Sequence, residues 1–379
     1  MLYRLASMSW MNLVDGVRAP CEQALAEAGD DPGLQSGIHH ALAWVAVYLG
    51  DLGTALTEAS HAVELADGIE DQAIRADAFA IRAFVEYLQG RPGDELMTAA
   101  IALQDATMAA ASWTEVSVYT TPRSILGLEL MWSGRLDEAR AVFERELAEY
   151  EQHGLYTVRH EVLCYLAELE CRAGRFSLAA AHAGEAMDIV EESGQTATQS
   201  HVVLFNRAWA SALLGQVDEA RQRATAGLEL AETNGDRFNA AWNRAVLGFL
   251  DLSLAEFEHA AGNLGPAAEY LESMHAAEPA IIPCVPDLVE ALVALGRVGE
   301  AGRHLDRLDE QARTLDRPWA RGVALRGRAL IAAAGGDLEA AQRAAEGSLE
   351  QLRSIDQPFE TARSWLRSEE RRVGKECRL

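Results

Sequence analysis

The chain has 379 residues and a formal net charge of −25; apolar residues make up 49% and aromatic residues 7%. A single hydrophobic core stops growing at about 250–300 residues, and a composition rich in Ala and Leu but poor in aromatics suits helix packing rather than a β-sandwich. So acidic a surface repels phosphate backbones and anionic lipid heads, which argues against direct contact of this segment with nucleic acid or membrane.

Taken in chain order, Leu2–Leu13 already reads as helix, and breakers then recur at a fixed period. Gly50, Gly90, Gly134, Gly174, Gly215, Ala255, Gly296 and Gly336 are spaced by 40, 44, 40, 41, 40, 41 and 40 residues. Seven of these eight positions carry an alanine five places later: Ala55, Ala139, Ala179, Ala220, Ala260, Ala301 and Ala341. A second set falls midway between them, at Gly29, Gly68, Gly154, Gly194, Gly235, Pro279, Pro318 and Pro358. Glycine fits the left-handed position after a helix end, and proline the first turn of the next helix. Between breakers the apolar period is helical, as in Val162, Leu166 and Leu169 before Gly174, or Leu247, Leu250 and Leu254 before Ala255.

Each unit therefore reads as two helices of similar length, and one unit repeated many times is the mark of a solenoid. The expectation is an all-α, tetratricopeptide-like α-solenoid over residues 1–366, a right-handed superhelix of about eight antiparallel helix pairs. The small residue at each corner ends the first helix, and the alanine lets the second approach it closely. Asp137 and Asp218 are placed to act as polar caps. Two places break the rule. The corner at Gly90 has Glu95 where alanine is expected, so the unit around Ala100–Trp113 is expected to be distorted. Glu278–Pro283 is proline-rich and is expected to run extended before its helix starts.

Residues 367–379 are set apart. Arg367–Arg378 reads RSEERRVGKECR, which back-translates onto a common sequencing-adapter stretch, and is excluded from fold reasoning. With Leu2–Leu13 reading as mid-solenoid helix, the chain is expected to be an internal fragment of a longer protein.

No catalytic pattern survives inspection. His160-Glu161 lacks the second histidine of a zinc HExxH motif, and neither GxSxG nor GxGxxG occurs. Cys21, Cys164, Cys171, Cys284 and Cys377 form no CxxC pair, which suits a reducing cytoplasm, and Cys164 and Cys171 read as buried packing. His39 and His40 are adjacent, so their side chains diverge, and no metal site is expected. The inner face of the superhelix is the better candidate. Arg123, Arg207, Arg244 and Arg326 fall in the first helix of their units, with Asn206 and Asn243 beside two of them. They are either inter-helix ion pairs or contacts to a ligand in the groove. Trp10, Trp44, Trp113, Trp132, Trp209, Trp242, Trp319 and Trp365 read as inter-repeat packing ahead of ligand cages.

Five segments point to a family. Glu168–Phe176 (ELECRAGRF), Asn243–Leu254 (NRAVLGFLDLSL), Pro286–Ala301 (PDLVEALVALGRVGEA), Leu315–Ala320 (LDRPWA) and Gln357–Arg363 (QPFETAR) resemble the helical-repeat region of large ATP-binding LuxR-type, MalT-like transcriptional regulators. The resemblance covers Tyr3 to Leu366. It implies a parent with an N-terminal ATPase module, this repeat array, and a C-terminal DNA-binding helix-turn-helix. It further implies that the array senses a protein or small-molecule inducer in its concave groove and controls self-association. The chain has no GxxxxGK[ST] loop, so ATP is expected only for the parent's missing module and no cofactor for this segment. A free-standing tetratricopeptide-like adaptor is the alternative.

Overall fold

The computed structural model describes residues 14–91, 93–109, 121–156, 158–194, 196–355 and 357–366. Among them every regular element is a helix. The first, α1 (Val14–Glu27), lays Cys21 and Ala24 on Ile38, Ala41 and Val45 of the next. Four hairpins follow: α2 (Pro32–Leu49) with α3 (Leu52–Ala66), α4 (Gln72–Leu88) with α5 (Asp94–Ala109), α6 (Pro122–Trp132) with α7 (Leu136–Gln152), and α8 (Arg159–Arg172) with α9 (Phe176–Glu192). Four more complete the array: α10 (Thr196–Leu213) with α11 (Val217–Thr233), α12 (Arg237–Ser253) with α13 (Phe257–Met274), α14 (Val285–Ala294) with α15 (Val298–Thr314), and α16 (Pro318–Ala334) with α17 (Leu338–Arg353). A last helix, α18, spans 358–366. Each helix packs on its sequence neighbours, and from α2 to α16 the even-numbered helices also touch one another in succession. The even helices thus form the inner layer and the odd helices the outer, as in a tetratricopeptide-like α-solenoid.

The corners explain the period. All eight residues of the first set adopt positive φ, from 60° at Ala255 to 88° at Gly134. All seven companion alanines are fully buried where the paired helices cross. Closer approach still is allowed where a helix carries glycine: a Cβ on Gly248 would meet Leu264 at 2.3 Å, and one on Gly322 would meet Leu352 at 2.5 Å. Capping differs from expectation. Asp51 and Asp337 cap α3 and α17, accepting from Thr54 N–H and Ala340 N–H, each at 2.9 Å. Asp137 and Asp218 lie inside the first turns of α7 and α11, where no side-chain cap hydrogen bond forms; both favour the helix dipole, and Asp137 also pairs with Arg140 at 2.6 Å.

The second set of breakers needs two corrections. Gly29, Gly68, Gly154, Gly194 and Gly235 all have positive φ, but the sixth and seventh corners use His275 and Asp316. Pro318 opens α16 as its position suggests, whereas Pro279 opens no helix. It lies in a largely buried strap, residues 275–284, whose part from 279 to 284 runs in turns and bends rather than extended and leads to α14. The connection from α5 to α6, with Trp113, lies outside the described residues, as do Trp10, Cys377 and residues 367–379.

The array closes on itself. The Tyr270 hydroxyl of α13 donates to the Tyr48 and Val47 carbonyls of α2 at 3.3 and 3.4 Å, and Arg237 donates to the Leu49 carbonyl at 3.1 Å. In the strap, Ala277 N–H donates to the Leu88 carbonyl at the end of α4, at 2.7 Å. Phe359 of α18 meets Phe176 and Phe249 with ring centroids 5.6 and 6.2 Å apart. The first, second and fourth corners therefore touch parts of the chain more than 180 residues away, and the concave interior is partly filled.

Candidate functional site

An aromatic spine runs along the inner layer from α2 to α12, bridged at α8 by an ion pair. Trp44 meets Phe84 at 5.3 Å between ring centroids, and Phe84 meets Trp132 at 6.0 Å. Trp132 Nε1 donates to Glu168 Oε1 at 3.1 Å, and the Arg172 guanidinium, hydrogen-bonded to the same oxygen, lies 5.9 Å from the Trp209 ring. Trp209 and Trp242 follow at 5.4 Å, with Phe205 stacked on Trp242 at 4.8 Å. Trp44, Phe84 and Trp209 each stand six residues before their corner, and equivalent positions on stacked units share one face; Trp132 and Trp242 join the line from other positions of their helices.

The strap is fastened by charges against this spine. Glu278 is buried; its carboxylate accepts from Arg317 Nε at 2.7 Å, the Tyr87 hydroxyl at 3.0 Å and Ala280 N–H at 3.1 Å. Burial raises its pKa, while Arg317 and these hydrogen bonds oppose the rise. Arg172 holds the other end of the strap, donating to the Ala280 carbonyl at 2.8 Å. Next to Tyr87, burial and Asp94 push the Glu129 carboxyl up to about 8, and its Oε1 has no hydrogen-bond partner among the described residues.

Beyond the strap a partly enclosed cavity of about 60 Å³ opens on the inner face. That is room for a few waters or one small side chain. Trp209, Trp242, Phe249, Trp319 and Phe359 supply its aromatic wall, and Arg172, Asp287 and Glu360 its charged groups. The charges are already paired: Asp287 with Arg363 at 2.5 Å, and Glu360 with Arg326 at 2.5 Å. Burial acts to raise the Glu360 pKa, and Arg326 and Arg363 outweigh it, so the carboxyl lies below its ordinary range. The wall thus presents aromatic faces and neutralised ion pairs, a chemistry that receives an apolar or aromatic group better than a free ion. Cys171 and Cys284 also line it as free, buried thiols; burial pushes Cys284 up to about 12 and raises Cys171 as well, which keeps both protonated.

The six polar residues singled out from sequence are not gathered here. Arg123 is buried between α6 and the outer layer, paired with Asp105 and Glu149. Arg207 pairs with Glu219 at 2.9 Å and donates to the Ala180 carbonyl. Arg244 pairs with Glu232 at 2.5 Å and lines a separate open cleft with Arg237 and Glu269. Arg326 stands closest, behind Glu360. Asn206 and Asn243 are buried and bond back to Val202 and Asn239 of their own helices, and Asn243 fits because Gly227 opposite has no side chain. Arg172, Tyr87, Glu278 and Arg317 were not marked by the arginine count, since their roles depend on the strap. A different signal did reach the cavity. Each of the five quoted segments contributes to its wall: Arg172, Phe249, Asp287, Trp319 and Phe359 come one from each.

Fold and site together define a helical-repeat protein with a closed interior and an aromatic pocket at its inner rim. Two solved structures share the architecture. One is a Rap protein complexed with competence and sporulation factor: TM-score 0.59, 13% identity, 89% of this chain against 98% of that one. The other is a signal transduction ATPase with numerous domains (STAND) from Pyrococcus horikoshii that carries a tetratricopeptide repeat sensor: TM-score 0.50, 15% identity, 89% of this chain against 52% of that one. At such identities the likeness establishes the fold. No protein-family profile and no curated protein matches the chain. Among the described residues no helix is long and apolar enough to cross a membrane.

Proposed function

We propose that this chain is the ligand-sensing and self-association array of a LuxR-type regulator, and that the inner aromatic pocket is its sensor site. The observation that carries this is the convergence of the five LuxR-like segments, far apart in sequence, on one cavity. The array acts by binding rather than catalysis. A small apolar group of a peptide or small inducer enters between Trp242, Trp319 and Phe359. Because Phe359 and Glu360 belong to α18, the occupant sets the position of that helix. The ligand shifts the equilibrium only by its difference in affinity for the two positions of α18. In the parent protein that the resemblance implies, α18 leads toward the DNA-binding module.

The test uses the chain as it stands. Linear peptides selected on it from a random library are titrated while tryptophan emission is followed. Trp319→Ala and the cavity-filling Ala245→Met are expected to weaken binding about tenfold or more. Selected peptides that bind both variants as tightly as the parent chain defeat the pocket assignment. The regulator assignment is tested separately, by following the genomic reading frame past Leu366: a helix-turn-helix is expected there. A stop codon close after Leu366 supports the second reading, a free-standing adaptor.

A further inference from the structure

In the first repeat, away from the pocket, three side chains with metal-ligand chemistry converge. Glu58 and His61 lie three residues apart on one face of α3, and His39 reaches them from α2. His39 Nδ1 is 2.7 Å from Glu58 Oε2, the His39 and His61 rings meet edge to face at 5.1 Å, and one ligand atom from each residue falls within 4.8 Å of the other two. His39 and Glu58 are half-buried and His61 is exposed. His40 points elsewhere: its Nε2 accepts from Trp44 Nε1 at 3.1 Å, and burial lowers it to about 4.

We infer that His39, Glu58 and His61 form a binding site for a divalent transition metal, zinc being the best fit, that staples α2 to α3. Two imidazoles and one carboxylate are a donor set that borderline cations such as zinc prefer, at about 2.0–2.2 Å from each ligand. Tetrahedral bonds of that length place ligand atoms about 3.3–3.5 Å apart. Glu58 and His39 must open slightly from their hydrogen bond, and His61, exposed and free to change rotamer, swings in. Three protein ligands on two helices leave the outward position of the metal for water or for a donor from a bound partner. The acidic surface raises the local concentration of cations. No part of the pocket reading enters this inference.

The probe is zinc chloride alone, in equilibrium dialysis against the full chain and against His61→Gln and His39→Gln. The parent chain is expected to bind one equivalent and to melt at a higher temperature with the metal present. Each variant is expected to lose about tenfold or more in affinity and to lose the thermal shift. His61 is exposed, so His61→Gln should leave the fold intact, checked by its circular dichroism. Zinc binding of equal strength in the parent chain and His61→Gln overturns the inference, as does a parent chain that binds none.

Discussion

The array has two kinds of corner. At Gly134, Gly215, Gly296 and Gly336 an added Cβ would meet nothing within 4 Å, so glycine is there only for its backbone angle. At Gly50, Gly90 and Gly174 the same Cβ would strike Tyr270 at 2.9 Å, Ala277 at 2.8 Å and Pro358 at 2.7 Å. The open corners turn the chain and are finished. The contacted corners turn it and also receive a part of the chain more than 180 residues away. One residue type thus carries two demands, one local and one global, and only the first has a period.

The sharpest way to break that contrast is at the strap, which exists only because of the second demand. Glu278→Ala leaves Arg317 facing a buried gap, and a loss of about 3–5 kcal/mol is expected from urea denaturation. A loss under about 1 kcal/mol would mean that the interior contacts are incidental. Next come the corners themselves. Gly90→Ala and Gly296→Ala each pay about 1–2 kcal/mol for a left-handed backbone. Gly90→Ala should lose about 1–3 kcal/mol more, because Ala277 and Leu315 must move. Equal losses at the two sites would erase the distinction.

A titration sharpens it further. Burial, with Asp71 adding, pushes the Asp77 carboxyl on α4 from 3.8 up to about 7. Over that interval the folded chain keeps the proton that the unfolded chain has released, so stability falls as pH rises from 3.8 to about 7 and then levels. Asp77→Asn is expected to flatten the slope and to gain about 1–2 kcal/mol at pH 8, read from melting curves at several pH values. The smallest effect belongs to Ala255, an exposed corner with φ of 60° that carries a side chain where its equivalents carry none. Ala255→Gly should stabilise by about 0.5–1 kcal/mol, the backbone relief less the extra chain entropy, and the melting temperature should rise accordingly.

What could be read from the residues follows the same division. Corner glycines and their buried alanines state a local rule in a local code, and even Ala255 keeps its place in the count. His275 and Asp316 were unreadable as corners, because a left-handed histidine or aspartate has no distinctive symbol and prolines lie close by in the sequence. The extended run expected at Glu278–Pro283 became a buried set of turns because Tyr87, Arg172 and Arg317, which hold it, are distant in sequence. The candidate arginines show the limit most plainly. Spacing located them on inner helices, but which way each side chain turns depends on Glu149, Glu219, Glu232 or Glu360 in a neighbouring helix. The tryptophans divide likewise: Trp44 and Trp132 serve the spine, Trp209 and Trp242 serve it and face the cavity as well, and Trp319 faces the cavity.

The closure has a consequence for copy number. An open solenoid can gain or lose a unit by duplication or deletion with little penalty, since each unit answers only to its neighbours. Here Gly50 must arrive at Tyr270, Gly90 at Ala277 and Gly174 at Pro358. Inserting one hairpin anywhere between the members of a pair would rotate them out of register, so the tally of repeats is fixed by geometry as firmly as a residue in an active site.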